Sequence, residues 1–344
     1  MSAVNQTIMR LLKSITSEID KLKLPNDNPE KNNEKLRMIV LTLSNIDNLK
    51  FSTFILKDYL RMIQTDNISI FSEVFEGRKS LKSLEGLNDW NVSNGTDFSN
   101  MFVGCESLKN IKALANWNVS NGEYFSQMFH GCESLKNIKA LANWNVSHGT
   151  NFCRMFSSCE SLENLEPLSH WDVSNGLSFS GMFGGCHSLK NIKHLSHWDV
   201  SKGESFCTMF IFCRLLKNLE GLSHWNVSNG TDFSWMFDTC SSLKNLEGLN
   251  NWNVSNGDNF EGMFFDCRSL KNLEPLSNWN VSNGINFDHI FANTSIKNIK
   301  PLANWCIPKD YDVESMFIDY NGSLSCKLTQ SRIEWLNKNI KRHD

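Results

Sequence analysis

The chain has 344 residues, of which 40% are hydrophobic and 21% are charged, and its formal net charge is −3. This length allows two domains and a sizeable core. The nearly balanced charge excludes the strongly basic surface typical of nucleic-acid-binding proteins and the field that would attract an acidic substrate.

Residues 1–66 are predicted to form a small all-α N-terminal region. Three segments, 9–22, 36–46 and 51–62, have apolar residues at helical spacing. A polar segment rich in Pro and Asn, 25–35, separates the first two. The pattern leaves open whether these helices cap the rest of the chain, form a separate adaptor, or do both.

Residues 67–320 repeat with a period of 27. Nine Trp residues form a periodic series that begins at Trp90 with a step of 27, except that Trp305 follows Trp279 after 26. Seven Cys, from Cys105 to Cys267, keep the same step of 27. A unit of this size cannot bury its apolar face alone, so stacked units are needed to form one continuous core. We therefore predict a repeat solenoid.

Each unit is predicted to contain one short extended segment and one short helix. In the unit of Trp90 the extended segment lies near 84–87, and Asn94 and Gly95 mark a turn because both residues tolerate positive φ. The apolar residues that follow are spaced i, i+3, i+4 and i+7, as on one face of a helix near 97–105. They are Phe98, Met101, Phe102 and Cys105. The predicted fold class is therefore an α/β repeat solenoid.

The C-terminal end of the repeat differs from the other units. Tyr320 occupies the position that holds Cys elsewhere, and a bulky polar residue there fits a unit on which no further unit stacks. Residues 321–344 are predicted to form a C-terminal capping helix, because the apolar residues from Ile333 to Ile340 are at helical spacing. We expect Trp305 to contribute less to stability than a central Trp, because fewer units pack on it.

The residues that could carry chemistry mostly belong to the repeat itself. The seven periodic Cys lie on the apolar face and are predicted to be buried, whereas Cys153 and Cys207 occupy another position and are expected to be more exposed. The periodic histidines occupy a position that elsewhere holds Asp or Asn, so we expect no metal site there. They are His170, His197 and His224.

Catalytic motifs are absent from the sequence. It has no phosphate-binding Gly loop, no His-Glu metal motif and no nucleophile elbow. We therefore predict that the protein is not an enzyme, binds no small-molecule substrate and holds no cofactor. The longest apolar runs are too short to span a bilayer, so we also expect no membrane insertion.

The repeat resembles that of a known family. The string W-N-V-S-N-G-x-x-F-x-x-M-F-x-x-C-x-S-L, as it occurs from Trp90 to Leu108, resembles the repeat of the BspA-like leucine-rich-repeat family, and the resemblance covers residues 68–318. That family is known from bacterial surface lipoproteins, protists and large DNA viruses. The resemblance implies a leucine-rich-repeat-like solenoid that binds proteins or adheres to surfaces, and it implies no enzyme activity.

The N-terminal segment and the thiols bear on location. The first residues lack the uninterrupted apolar core and the small-residue cleavage site of a signal peptide. We therefore expect an intracellular protein with reduced thiols, either cytoplasmic or, for a viral member of the family, associated with the virion.

Two functions are compatible with these features. The first is a non-enzymatic scaffold for protein–protein interaction that presents a solenoid surface to a partner. The alternative is a structural or adhesive component of a virion or cell surface that self-assembles through its repeats. Neither function involves a nucleic acid.

One outer patch is predicted to make the contact in either case. Positions of the predicted helix that face outward are polar in most units but apolar in three successive units. The apolar residues there are Ile211, Phe212, Trp235 and Phe265. An apolar patch that includes a Trp on a polar face is typical of an interface with a partner or with a second copy of the chain. The other interpretation is that these side chains pack beneath a neighbouring loop or the N-terminal helices.

Overall fold

The repeats stack on one another between two groups of α-helix. The computed structural model describes residues 3–22, 28–48, 55–320, 323–324 and 328–343. In these residues the α-helices are α1 (Ala3–Leu22), α2 (Pro29–Asn48), α3 (Ile55–Met62) and α4 (Gln330–Asn339). Two short strands, β1 (Cys306–Pro308) and β2 (Lys341–His343), pair in parallel. Short 3₁₀ helices occur at Lys112–Asn116, Lys139–Leu141, Glu166–Leu168, Lys193–Leu195, Glu220–Leu222, Glu274–Leu276 and Lys300–Asn304.

Helices α2 and α3 cover the N-terminal end of the stack. The Asn33 side chain, which is buried in α2, donates hydrogen bonds to the carbonyl oxygens of Ile70 and Ser72, both at 3.0 Å. Trp90 Nε1 donates to the Leu60 carbonyl of α3 at 2.9 Å, whereas later Trp residues donate to a Leu of the preceding unit. These helices therefore supply to the first unit the contacts that a preceding unit supplies to the others.

The units are joined by backbone hydrogen bonds along the stack. Single parallel β-bridges link equivalent residues of successive units, as between Asp97 and Tyr124. The N–H groups of Phe98 and Phe102 donate to the carbonyls of Tyr124 and Met128 in the next unit, both at 2.9 Å. The same pattern recurs from unit to unit, so the prediction of a tandem-repeat protein is confirmed.

The predicted short helix near 97–105 is wrong. The segment forms two consecutive turns instead: Met101 N–H donates to the Phe98 carbonyl at 3.3 Å, and Cys105 N–H donates to the Phe102 carbonyl at 3.2 Å. The third residue of each turn has positive φ, 58° at Asn100 and 67° at Gly104, which a type II turn requires and an α-helix forbids. Two turns of four residues have nearly the period of a helix, and for this reason the apolar spacing imitated one.

The predicted extended segment near 84–87 is also replaced by a turn. Leu87 N–H donates to the Leu84 carbonyl at 3.1 Å, and equivalent residues of most later units form the short 3₁₀ helices. Between residues 67 and 305, all of which the structure describes, there is no α-helix and no strand longer than a single bridge. The α/β description is therefore wrong for these units, which consist of turns, 3₁₀ helices and isolated bridges.

Columns of identical side chains, meaning equivalent residues in successive units, fill the core. In the Trp column, neighbouring rings such as Trp144 and Trp171 are nearly parallel with centroids 6.4 Å apart. Each ring nitrogen is paired, as Trp171 Nε1 donates to the Leu141 carbonyl at 2.9 Å. Two Phe columns stack beside it with centroids 5.3–5.9 Å apart. The buried rings form one continuous hydrophobic cluster with the helices at both ends.

Trp305 is the exception to our expectation for the last unit. Its side chain is fully buried, more so than that of Trp171, of which 3% is exposed. The reason is that β1 begins at the next residue and pairs with β2, while buried residues of α4 join the same core. The C-terminal elements thus complete the last unit, and Trp305 has no smaller share of the core than a central Trp.

The seven periodic Cys are fully buried, as predicted. Each Sγ–H donates to the carbonyl of a Phe in the preceding unit, as Cys186 does to Phe156 at 3.3 Å. That carbonyl already accepts a backbone hydrogen bond from Cys159, so the thiol occupies its second acceptor site. The column is therefore a set of small buried donors, and burial raises the pKa of its thiols, that of Cys213 to about 12.

Alkylation should separate the two kinds of Cys in the native protein. Thiolate is the reactive form, so the Cys column should label only after denaturation, whereas the half-buried Cys153 and Cys207 should label first. Peptide mapping by mass spectrometry after a pulse of iodoacetamide measures the order. Rapid labelling of Cys186 in the folded protein would contradict the burial of the column.

Candidate interaction surface

Outward-facing positions are created by the two turns of each unit. Trp235 is the third residue of the first turn in its unit and has a φ of 57°. Gly262 has the equivalent place in the next unit, and a Cβ there would lie 2.0 Å from the Trp235 ring. The indole therefore lies directly over the backbone of Gly262. In most other units the residue equivalent to Gly262 has a side chain, which would fill this space.

This indole and three further rings, from four successive units, form one group. We call them the outer aromatic cluster: Trp235, Phe265, His289 and Tyr320. Ring centroids of Trp235 and Phe265 are 5.8 Å apart, and Tyr320 lies 6.1 Å from the first and 5.0 Å from the second. The rings are inclined to one another by 22° to 86°, so they form an angled surface instead of a flat platform. Tyr320 remains 66% exposed.

The four predicted patch residues do not all converge. Trp235 and Phe265 are in contact, but the Ile211 side chain packs over Gly184 in the preceding unit, 2.8 Å from where a Cβ would lie. Phe212 is exposed, and no ring contact found in the described part of the chain joins it to the others. The structure therefore brings Trp235 and Phe265 into contact, and that all four residues bind a partner as one patch stays a prediction.

Two members of the cluster were missed by sequence reasoning. Tyr320 was interpreted as a mark of the end of the stack. An aromatic residue at a position that holds a buried Cys in other units also indicates that the surface of this unit differs from theirs. His289 has the same place in its unit as Trp235, which the 27-residue step makes visible. Since Tyr320 covers part of Trp235 and Phe265, the interpretation that these side chains pack against a neighbouring segment is partly right.

Carboxylates border the outer aromatic cluster. Asp238, only 7% exposed, accepts a hydrogen bond from Thr239 Oγ1 at 2.7 Å. Burial raises its pKa to about 6 and the charge of Asp266 adds to the rise, while the Thr239 hydrogen bond opposes it. Tyr320 also has a raised pKa, first through burial and then through the negative charges of Asp238 and Glu261. Both carboxylates therefore lie close enough to act electrostatically on the exposed phenol.

The two buried carboxylates, Asp238 and Asp266, differ in their partners. Asp266, 8% exposed, forms an ion pair with Arg268 through Oδ1 and Nε at 2.9 Å. Among the ion pairs of the described residues, none includes Asp238 or Glu261. A carboxylate that is removed from water without a counter-charge destabilises the folded state.

Asp238→Asn should raise the free energy of unfolding by about 2 kcal/mol at pH 7, after allowance for screening by water. The pKa of Asp238 in the folded protein is about 6, above the ordinary 3.8. Its ionisation therefore destabilises the fold, increasingly as the pH rises from about 4 to 6 and constantly above that range. The advantage of the variant should vanish at low pH and level off above pH 6, as chemical denaturation over a pH series will measure.

The groups that face this carboxylate stay in place in the variant. They are Asp266, Thr239, Tyr320, Cys240 and Cys267. Asp172→Asn is the matched control, because it is the same change at an exposed position where most units have Asn. If the free energy of unfolding rose equally in both variants, or did not rise in Asp238→Asn, the charge of Asp238 would not destabilise the fold as we infer.

Other kinds of site find little support in the described residues. His170, His197 and His224 are exposed, and no group of three His, Cys, Asp or Glu in that part of the chain could hold a metal ion. None of the described helices combines the length and apolar character needed to cross a membrane. The outer aromatic cluster and its carboxylates are thus the most distinctive surface feature described.

Comparison with known proteins identifies a family through the repeats. Residues 47–162, 134–245 and 211–328 each match a family model described as "Mycoplasma protein of unknown function, DUF285". The chain matches no curated protein and no solved structure. The three overlapping matches extend together from residue 47 to residue 328, well over half of the chain, and agree with the 27-residue stacking. The chain therefore belongs to this DUF285 family of tandem-repeat proteins.

Proposed function

We propose that the protein is a non-enzymatic scaffold that binds a protein partner through the outer face of its repeats. The observation that carries the proposal is the outer aromatic cluster, in which Trp235, Phe265 and the exposed Tyr320 meet on one surface. Trp and Tyr are the residues most enriched where binding energy concentrates in interfaces. The hydrogen-bonded stack holds these rings in place before a partner arrives, which lowers the entropic cost of association.

The finer class of the repeat belongs to the same proposal. We infer a leucine-rich-repeat-like solenoid of the BspA-like type, supported by the Trp, Met-Phe and Cys landmarks that recur at a step of 27. The scaffold needs no cofactor and no small-molecule substrate in this proposal. An intracellular location, in the cytoplasm or in a virion, is favoured by the free thiols of the Cys column, which persist in reducing compartments.

Self-assembly as a structural or adhesive component is the alternative. Terminal helices that cover both ends of a repeat stack argue against open-ended growth by addition of further chains. Here α2 and α3 contact the first unit, and α4 with β2 contacts the last. Any self-association would therefore involve the sides of the stack, and sedimentation would reveal it as an increased mass.

The double variant Trp235→Asp, Phe265→Asp tests the proposal. It places two charges on the outer aromatic cluster, so the variant should lose the proteins that co-purify with the wild type. The matched control is Tyr124→Asp, Leu177→Asp, which charges two exposed apolar side chains of earlier units, 45% and 43% exposed. Circular dichroism checks the fold of both. A folded double variant that keeps its partners and its native mass would overturn the proposal.

A further inference from the structure

The geometry of the outer aromatic cluster indicates the chemistry of what binds there. The faces of aromatic rings carry partial negative charge and attract cations that come within about 6 Å of the ring centroid. Tyr320 is stacked on Trp235 at 22° and contacts Phe265 with ring centroids 5.0 Å apart, while 66% of its own side chain remains exposed. The exposed ring of Tyr320, held in place by Trp235 and Phe265, is therefore open to a cation from solvent.

Two carboxylate residues without a counter-charge among the described residues lie at the same place: Asp238 N–H donates to the Trp235 carbonyl at 3.2 Å, and Trp235 N–H donates to the Glu261 carbonyl at 2.7 Å. Asp238 is 7% exposed, and within the described part of the chain its carboxylate accepts a hydrogen bond from the hydroxyl of Thr239, a neutral donor. Glu261 accepts a hydrogen bond from Asn286 Nδ2 at 3.2 Å, which is also neutral. The neighbouring Asp266 shows the contrast, because Arg268 of the same unit already neutralises it.

The aromatic ring and the carboxylates are two independent features, and both favour a positively charged ligand. A cation would gain from the exposed Tyr320 ring and would supply the counter-charge that Asp238 does not have among the residues that the structure describes, whereas an anion would be repelled by both. A neutral apolar group would cover the rings but would leave the carboxylate buried and unpaired, which is costly. Charge complementarity therefore selects one class of occupant.

We propose that the outer aromatic cluster, together with Asp238 and Glu261, binds a cationic side chain presented by a basic segment of a partner protein. This proposal rests on the scaffold function proposed above and specifies the chemistry of its partner. The lysine or arginine lies against the exposed ring of Tyr320, and its charge pairs with the two carboxylates. One side chain of the partner occupies the outer aromatic cluster. The residues next to it in the partner's basic segment then contact the repeat units on either side of the cluster.

Fluorescence anisotropy with short labelled peptides tests the proposal on the full chain. The probe is an N-acetylated peptide of alternating Gly and Lys, compared with the same peptide carrying acetyl-lysine, which keeps the aliphatic stem of the side chain but removes its charge. We expect the lysine peptide to bind about tenfold more tightly than the acetylated one. Tyr320→Leu and Asp238→Asn should each weaken binding of the lysine peptide by a similar factor.

Matched controls separate this site from general attraction to an acidic chain. Tyr124→Leu removes an exposed aromatic ring of an earlier unit, and Asp172→Asn removes an exposed charge. Both controls should bind the lysine peptide like the wild type. If Asp238→Asn and Asp172→Asn weakened binding equally, the attraction would be diffuse and the proposed site would be wrong.

The outcomes also separate this proposal from the scaffold function. If the lysine peptide failed to bind the wild type even at millimolar concentration, the cation site would be wrong. Loss of co-purifying proteins in the Trp235→Asp, Phe265→Asp variant would then still support the scaffold with another kind of occupant. Conversely, peptide binding that depends on Tyr320 and Asp238 would support the cation site even if that double variant kept all its partners.

Discussion

Trp171→Ala should lower the free energy of unfolding by about 3–5 kcal/mol, as for other large buried aromatic residues. The indole is 3% exposed and packs on Trp144 and Phe156, with both centroid distances at 6.4 Å. The substitution leaves a cavity between two units and removes the hydrogen bond to the Leu141 carbonyl. Equilibrium denaturation followed by circular dichroism measures the loss.

Trp305→Ala should cost about as much as Trp171→Ala, since β1, β2 and α4 leave its side chain with no exposed surface. Trp335→Ala is the control, because that side chain on α4 is 37% exposed and should contribute little. Equal denaturation midpoints for the wild type and both core variants would show that the Trp column does not stabilise the stack.

Gly176→Ala should destabilise the protein by about 1–3 kcal/mol through overpacking. A Cβ at this position would lie 2.4 Å from Cζ of Phe179 and 3.0 Å from the Val173 carbonyl oxygen. The Phe179 ring has no room to move, because it is stacked between Phe152 and Phe206 at 5.7 Å on either side. Chemical denaturation of the single variant measures the cost.

A double-mutant cycle with Phe179→Leu isolates the cause of that cost. Leu has no atom at the place of Cζ, so Gly176→Ala should cost much less in the Phe179→Leu background than in the wild type. The same cost in both backgrounds would place the strain in the backbone instead of in the ring contact. The equivalent Gly of every unit from Gly95 to Gly284 has the same close approach to its own Phe.

This glycine shows what sequence reasoning missed about the turns. The Asn-Gly pair predicted a turn, and Gly176 N–H does donate to the Val173 carbonyl at 2.8 Å. The reason for Gly is the neighbouring ring, however, and Gly176 is not among the residues with positive φ. Positive φ occurs at other positions, Asn100 and Gly104 among them, where several units have residues that give no such signal.

Features that depend on the 27-residue step could be predicted from the sequence. Repetition identifies the inner columns directly, because only residues that meet identical neighbours need to stay identical from unit to unit. Contacts that occur once in the chain could not be predicted. The pairing of Cys306 with Lys341 buries Trp305, and the two residues are far apart in sequence without any repeated signal.

The candidate site was predicted only in part for the same reason. Trp235 and Phe265 differ from the polar residues of other units, so the sequence singles them out. Their contact with Tyr320 depends on the direction in which a residue with positive φ projects its side chain, and that direction followed from the structure. Asp238 looked like an ordinary surface residue until its burial between units was known.

The first positive-φ position of each unit has a consequence for how such a molecule diversifies. Its occupants differ widely in size and charge: Glu73, Asn100, Gln127, Arg154, Gly181, Thr208, Trp235, Gly262 and His289. Because hydrogen bonds between units impose the backbone conformation, the residue itself does not determine it, although a non-Gly residue there costs about 1–2 kcal/mol. Duplication of a unit therefore copies the interior unchanged and adds one more surface group that is free to vary. The number of possible surfaces multiplies with each added unit, while the requirements for folding stay those of a single unit and its neighbours.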